Sequence, residues 1–550
     1  MSAFTDFCDS IEPRAAVYLL EVNIYSAGLP RGGLLPIWNR VPWNTLPFGS
    51  PYIAGETTKR LASRGGYTTH ASDTPAVENY LGLLEGLPTM NRQLPLSPLS
   101  SRMLASSVGR ISLANRGGDL TSSFNAGGID GRDVVLRVGD PAWPLSDFGI
   151  VMAGAGVAWW EESAGAFLEL RDRTYRLART LQNETYAGTG GYEGGADLAG
   201  QCRPLCFGLR RNVLGVAVDR PNGIYQFHVR QIQAFDKVLV RAAEITFDTN
   251  DYPTYAALLA ASVTPGYYAT CKSLGLIKLG AQADGQVTAD LRGDAQGGYV
   301  ATAAGIVQRL IEDFTDSQAG DIDTTAFSDF AAAEPATIGW CRGTEKINAD
   351  EAITEIVNGV QGYWGGSRAG KYTIGALRAP SALDADFDLT EGVEITSLVK
   401  LPPSSEVETP PYRVQIGYAQ SNTVQPGDGL SGSAIAAQLD FIKQEFRYAV
   451  AGNPVIQAKY RNAQDWKLPG LYAEYADALA KATALFNEFS PGVPLYKGAM
   501  ACRRAWRLDL GMGGRLTSGP RGLVSAPARI VGINEFPGQN QAIVTFWVAP

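Results

Sequence analysis

The sequence predicts a mainly β, multidomain protein with an α+β insertion, and three observations carry that expectation. At 550 residues the chain has length for roughly three to four domains, each with its own core. Its 62 glycines and 31 prolines form about a sixth of the residues, against a usual share of roughly an eighth, so turns are frequent. With 45% hydrophobic and 10% aromatic residues the composition lies well above the disordered regime, and the turns must join short buried strands.

Residues 1–215 read as a strand-rich region. Ile111-Ser112-Leu113, residues 134–138 and residues 167–171 are apolar runs divided by the turn chemistry of Asn115-Arg116-Gly117-Gly118-Asp119 and Asp130-Gly131. Helical periodicity is nearly absent there. The longest apolar run, FGIVMAGAGVAWW at residues 148–160, is too short for the roughly eighteen residues that span a bilayer, and reads as a buried strand pair or core segment.

Residues 216–390 read as an α+β region. Residues 252–263 and 301–314 are rich in alanine and leucine and predict helices, with a loop over residues 285–294 between them. Asn348 and Glu351 form a capping box ahead of Ile353, Ile356, Val357 and Val360, which predicts a third helix ending near Gly365-Gly366. Tyr372, Ile374 and Ala376 then alternate as in a half-buried strand.

Residues 391–550 return to strands, with Val414, Ile416 and Tyr418 alternating and residues 542–548 closing the chain. One helix interrupts them: Tyr475, Leu479, Ala482, Leu485, Phe486 and Phe489 form a stripe that stops before Pro491-Gly492. No repeat of 20 to 50 residues is visible, which argues against solenoids and propellers.

Net charge is -8 with pI near 5.2, so global electrostatics do not favour a nucleic-acid-binding surface. Arg210-Arg211 and Arg503-Arg504 with Arg507 read as solvated faces or interface anchors. The N-terminus carries acids where a signal peptide carries basic charge, and lacks an apolar core, so export is not expected. Six scattered cysteines do not resemble a disulfide framework and suit a reducing cytoplasm.

The stretch YAGTGGYEGGADLAGQCRPLCFGLRRNV, residues 186–213, holds seven glycines, Cys202 and Cys206. It lacks the spacing of a phosphate-binding loop, since the third glycine would fall at Glu193 and no Gly-Lys-Ser/Thr follows. Its glycines read as positive-φ turn positions. Cys202 and Cys206 find no second ligand pair, because Cys8, Cys271, Cys341 and Cys502 are isolated and the only histidines are His70 and His228. A site assembled from distant single cysteines, or an iron-sulfur cluster, is the one metal alternative left.

His70 and His228 read as structural, because no nucleophile or acid stands at motif spacing from either. Residues 225–229, around His228, alternate like a strand. Trp159-Trp160-Glu161-Glu162 invites a glycosidase reading, but adjacent strand residues point to opposite faces, so the two acids read as a turn after a core strand. Arg292-Gly293-Asp294 is assigned to the loop. No catalytic, cofactor-binding or metal residue is nominated.

Several stretches in order are similar to the baseplate or tail-tip hub proteins of long-tailed, siphovirus-like bacteriophages and related phage-like particles. They are Tyr18-Leu19-Leu20-Glu21-Val22; Gly66-Tyr67-Thr68-Thr69; residues 109–115 with Asp119-Leu120; Asp130-Gly131-Arg132; and the 186–208 block. Later come Tyr225-Gln226, residues 266–270 and residues 285–290, followed by the C-terminal strands and alanine-rich helix.

The resemblance implies barrel-like hub domains from three chains forming a trimeric ring, with a C-terminal barrel-like domain carrying one long helix. It implies a structural virion protein, not an enzyme, that caps the tail tube and lets DNA through in ejection. The implied partners are two further copies, a distal tail protein ring, the tape-measure protein C-terminus, a central fibre or spike and other baseplate proteins. Assembly in the host cytoplasm and no stable membrane insertion go with it; no cofactor is implied. A ring carrying three times the charge of one chain would keep passing DNA from adhering if acids line its channel. The alternatives are a cell-wall or polysaccharide-degrading tail enzyme and a carbohydrate-binding tail-tip adhesin. The 186–213 block reads as a rigid connection between strand-rich units, with Arg210 and Arg211 as anchors for another subunit.

Overall fold

The computed structural model describes residues 3–9, 16–26, 55–63, 65–99, 102–115, 117–118, 120–162, 165–402, 407, 409–425 and 430–550. Arg116 and Asp119, of the turn and the resemblance above, lie outside these. The architecture is mainly β, in several sheets, as the composition requires.

The N-terminal sheet runs in the order Gly55–Ala62, Val17–Ser26, Asp133–Gly139, Gly149–Glu162, Gly165–Arg171, Ile111–Leu113 and Leu84–Gly86. Its ladders are antiparallel, with Leu20 opposite Leu136 and Val22 opposite Val134. That register puts alternate apolar residues on one buried face. The 148–160 run is one long strand rather than a strand pair. Glu161 and Glu162 are its last two residues, not a turn after it, because pairing with Gly165–Arg171 continues to Glu162. Two short helices, Ala3–Asp9 and Thr121–Ala126, stand where no helical period was visible; neither is long enough to show one.

A half-barrel follows. Leu205–Leu214 passes through Gly215 into Val216–Asp219, and from there the sheet runs through Ile224–Gln226, Leu276–Leu279, Tyr267–Cys271, Ala243–Asp251, Ile232–Val240 and Val287–Asp294 back to Leu205–Leu214. One continuous piece of chain thus serves both sides of the sheet, which curls into a half-barrel with Gly339–Arg342 as its outermost strand. Gly215 makes the bend possible, since a Cβ there would stand 2.6 Å from the Phe227 ring. Phe227, Val238, Ile277, Ala289 and Leu291 fill the interior. Residues 285–294 are therefore mostly strand, not loop. Thr288 and Asp290 hid the pattern, because their side chains are accommodated by barrel packing rather than by solvent.

The remainder is a helical layer and a second large sheet. Helix Ala303–Phe314 is capped by Thr302, and Ala349–Gly359 by the Asn348–Glu351 box. The latter ends at Gly359, six residues before the expected stop. Gln361 takes φ 58° and the chain turns into the strand Gly362–Gly366, paired with Tyr372–Ala376. Helix Thr324–Ala333, capped by Asp323, was not anticipated; its buried face is only Phe327 and Phe330. Helix Tyr475–Phe489 covers the sheet of Arg447–Gly452, Pro411–Tyr418 and Gln464–Tyr472.

The C-terminal sheet runs Asp388–Thr390, Gly513–Ser518, Leu523–Phe536, Gln541–Val548, Leu495–Ala501 and Ile395–Lys400. Met90–Gln93 joins it beside Leu523–Phe536, with Ala105–Val108 at its own outer edge. Ile530, Ile533, Val544 and Phe546 meet Ile111, Val134, Leu136 and Leu168 in one core, so the first and last sheets form a double-sheet body.

Candidate functional site

Of the residues that could do chemistry, His228, Cys206 and Cys341 meet on the seam between barrel and helical layer. His228 is fully buried at the end of the short strand Ile224–Gln226, in a bend rather than in the strand expected through Val229. Its Nδ1 accepts the backbone N–H of Cys206 at 3.0 Å, which fixes the proton on Nε2, and Nε2 donates to Asp294 at 3.0 Å. Both ring nitrogens are occupied. Burial lowers the His228 pKa, against the opposing pull of Asp294, so the ring is neutral.

Asp294 is the hub of this knot. It accepts from His228, from Arg230 Nε at 2.5 Å and from Arg309 Nη1 at 2.8 Å, and Asp313 holds the far side of Arg230 at 2.7 Å. Burial alone would raise its pKa; the hydrogen bonds from His228 and Arg230 outweigh that and hold it low. Arg309 comes from helix Ala303–Phe314, so the knot fastens that helix to the barrel. No local signal in the sequence marks it, because the residues it joins span 228–313.

Cys206 and Cys341 form a disulfide across the paired strands Leu205–Leu214 and Gly339–Arg342. This corrects the expectation of isolated, reduced cysteines: two residues 135 apart in sequence meet because strand pairing sets them directly opposite. With its sulfur so bonded, Cys206 cannot share a metal with Cys202. Cys202 is buried with its Sγ toward the Gln182 carbonyl at 4.0 Å. Cys8, Cys271 and Cys502 are buried thiols at separate places, and burial pushes the Cys8 thiol up to about 12. His70 sits in an exposed turn, its backbone N–H donating to Asp73 at 2.7 Å.

The glycine block does bend as its composition requires. Gly188, Gly190, Gly191, Gly194, Gly200 and Gly208 all have positive φ. The coil they allow wraps Arg203, which lies between the Tyr186 and Tyr192 rings at 4.6 and 4.2 Å and pairs with Glu193 at 2.8 Å. The block is an internal splice.

Its terminal arginines are used inside the chain. Arg210 is buried and donates to Gln420, to Asn422 at 3.3 Å and to the Gly339 carbonyl at 3.3 Å; burial lowers its pKa to about 10. Arg211 reaches Glu474 at 3.3 Å. Both clamp the barrel to the 411–489 layer, and for the buried Arg210 this corrects the reading as an anchor for another subunit. Arg504 pairs with Glu394 at 3.2 Å, Arg507 with Asp9, and Arg503 lies over Phe7.

Glu161 and Glu162 part as alternation demands. Glu161 accepts from Asn115 and Thr121, while Glu162 accepts from the Trp160 indole at 3.0 Å. The double-sheet body has its own brace: Arg368, from the turn before Tyr372–Ala376, forks onto Glu535 at 2.6 and 2.9 Å and reaches the Val151 carbonyl at 3.2 Å. Arg92 pairs with Asp509 at 2.6 Å nearby.

No family model matches the sequence, and no curated protein matches it. Among solved structures the chain is similar to the 43 kDa tail protein of prophage MuSo2 from Shewanella oneidensis, at 10% identity over 86% of this chain and 96% of that one, with a TM-score of 0.32. It is similar to a chain of the virion of a native gene transfer agent particle, at 13% identity over 64% and 85%, with a TM-score of 0.39. The tail protein from Neisseria meningitidis MC58 is similar at 10% identity over 86% and 93%, with a TM-score of 0.35.

Proposed function

We propose that this chain is a structural protein of a phage-type tail, a subunit of a trimeric baseplate hub at the tail tip. The observation that carries the structural role is the fate of the reactive side chains. His228, Cys206 and the buried arginines are each held by an internal bond, and the exposed Glu161 and Glu162 are each hydrogen-bonded to neighbouring side chains, leaving sheet faces and edges as the working surface. The ordered stretches quoted above support the hub role, and the barrel and double-sheet body supply rigid blocks for ring contacts.

In this reading three copies cap the tail tube, meet a distal tail ring, the end of the tape-measure protein and a central fibre or spike, and line a channel for DNA ejection. The protein then resides in the virion after assembly in the host cytoplasm. Negative-stain images of the purified chain with a mass measurement test it. Three-fold rings at three times 58.7 kDa are expected; a monomer at assembly concentrations would overturn the trimer. Incubation with peptidoglycan is expected to release nothing, and release of sugar or peptide fragments would replace the structural role with an enzymatic one.

A further inference from the structure

An open cavity of about 440 Å³ belongs to none of the features above. It lies on the outer face of the C-terminal sheet, opposite the face that builds the double-sheet core. Register places its polar lining in two rows across four strands. Gln93, Gly532, Thr545 and Lys497 form one row; Asn91, Asn534 and Ile543 form the other. Leu96, Leu401 and Leu495 close one end.

The side chains of Asn91, Gln93, Asn534, Thr545 and Lys497 have no hydrogen-bond or ion-pair partner among the described residues, although they ring one cleft. No carboxylate lines it, so the Lys497 ammonium is a positive spot on a chain of net charge -8. No aromatic ring lines it either, so neither a sugar nor a base has a surface to stack on. Each carboxamide both donates and accepts, as each peptide unit does. Gly532 leaves the middle of the first row without a side chain. Four strands about 4.8 Å apart make a ledge of roughly 14 Å, the length of about four extended residues.

We propose that this cleft binds an extended, acidic peptide segment of a partner protein. The carboxamides and Thr545 read its main chain, the leucines at the closed end take an aliphatic side chain, and Lys497 pairs with a carboxylate. The groove chemistry stands by itself; only the source of the segment, another protein of the tail, rests on the function proposed above.

Fluorescein-labelled hexapeptides that alternate leucine with aspartate, serine or lysine, titrated with the full chain by fluorescence anisotropy, test the proposal. The leucine–aspartate peptide is expected to bind saturably and best. Lys497→Glu should weaken it about tenfold and reverse the preference toward the lysine peptide, and Gln93→Ala with Asn534→Ala should weaken all three peptides. These side chains are solvent-facing, so unchanged melting of each variant is the check on folding. No saturable binding by the native chain, equal affinity for acidic and basic peptides, or indifference to Lys497→Glu would overturn it. So would preferential binding of a tri-N-acetyl chitosaccharide added as competitor. A failure here leaves the tail role standing, whereas a monomeric chain that still binds the acidic peptide would sink the trimer alone.

Discussion

The barrel draws every strand but Gly339–Arg342 from the continuous stretch 205–294, whereas the C-terminal sheet of the body takes Met90–Gln93 into a frame built from residues 388–548. The barrel's neighbours in space are mostly neighbours in sequence. In the body, Asn91 lies opposite Asn534 and the first and last sheets share one core. Short loops make the barrel cheap to close in conformational entropy, while the body must close loops of hundreds of residues before its contacts form. The two regions are also fastened differently. The barrel is tied at its seam by a disulfide and the Asp294 knot, and the body by the buried Arg368–Glu535 fork.

The largest blow to this contrast is expected from Arg368→Ala, which leaves Glu535, 1% exposed, without its cation. A loss of about 4 kcal/mol from the body is expected. Because Trp340, opposite Phe207 on the outer strand Gly339–Arg342, is the one tryptophan of ten within residues 205–294 or 339–342, urea unfolding of a Trp340→Phe background followed by tryptophan fluorescence reports the body and helical layer without the barrel. Barrel amides should keep their exchange protection; if they lose it together with the fluorescence, the two regions are one cooperative unit.

Replacing both Cys206 and Cys341 by serine should act on the other side of the comparison. The bond closes a loop of 135 residues around the barrel, and its removal is expected to cost about 3 kcal/mol there. Hydrogen exchange of barrel amides is the readout, and an unchanged barrel would mean that the Asp294 knot alone holds the seam.

Arg210→Ala and Arg211→Ala sharpen the contrast at the clamp between barrel and 411–489 layer. The buried Arg210 should cost about 2 kcal/mol in the isolated chain, because Gln420, Asn422 and the Gly339 carbonyl lose a shared donor. The more exposed Arg211 should cost about 0.5 kcal/mol. Equal effects in a thermal melt would place the clamp elsewhere.

The smallest effect is a divergence with pH. His228 titrates below its ordinary 6.5, so its contribution to the barrel is complete above pH 6.5 and is lost as pH falls toward its native value; Asp294, held below 3.8, adds a second loss in stronger acid. Glu488, half-buried on helix Tyr475–Phe489, has its pKa raised by burial to about 7. Its contribution has the opposite sign, complete below pH 4.5 and lost as pH rises through about 7. Between pH 6.5 and 4.5 barrel amides should therefore exchange faster, relative to model peptides, while those of the helix slow. Glu488→Gln should abolish the helix's response and leave the barrel's. Parallel responses would remove the distinction.

Much of the local structure was legible in the residues. The Tyr475–Phe489 helix shows its stripe and its proline stop, the Asn348 cap its box, and residues 542–548 their alternation, because each signal lies within one or two turns of chain. Strand 287–294 was misread because Thr288 and Asp290 are polar by type yet sheltered in place, a fact set by Asn212 and the barrel wall. The seam was illegible for the same reason: Cys341 gives no sign that Cys206 will lie opposite, and Arg210 reads as surface until Gln420 covers it.

By itself the sequence determined that this would be a turn-rich β protein with a few strong helices, since side-chain period and backbone preference act over neighbouring residues. Tertiary structure alone decided that the 214–216 bend curls a sheet into a half-barrel, that residues 90–93 complete a sheet begun near residue 388, and that five polar side chains from four strands face one cleft. Those outcomes depend on register between distant strands, and register is fixed only when whole faces are buried together.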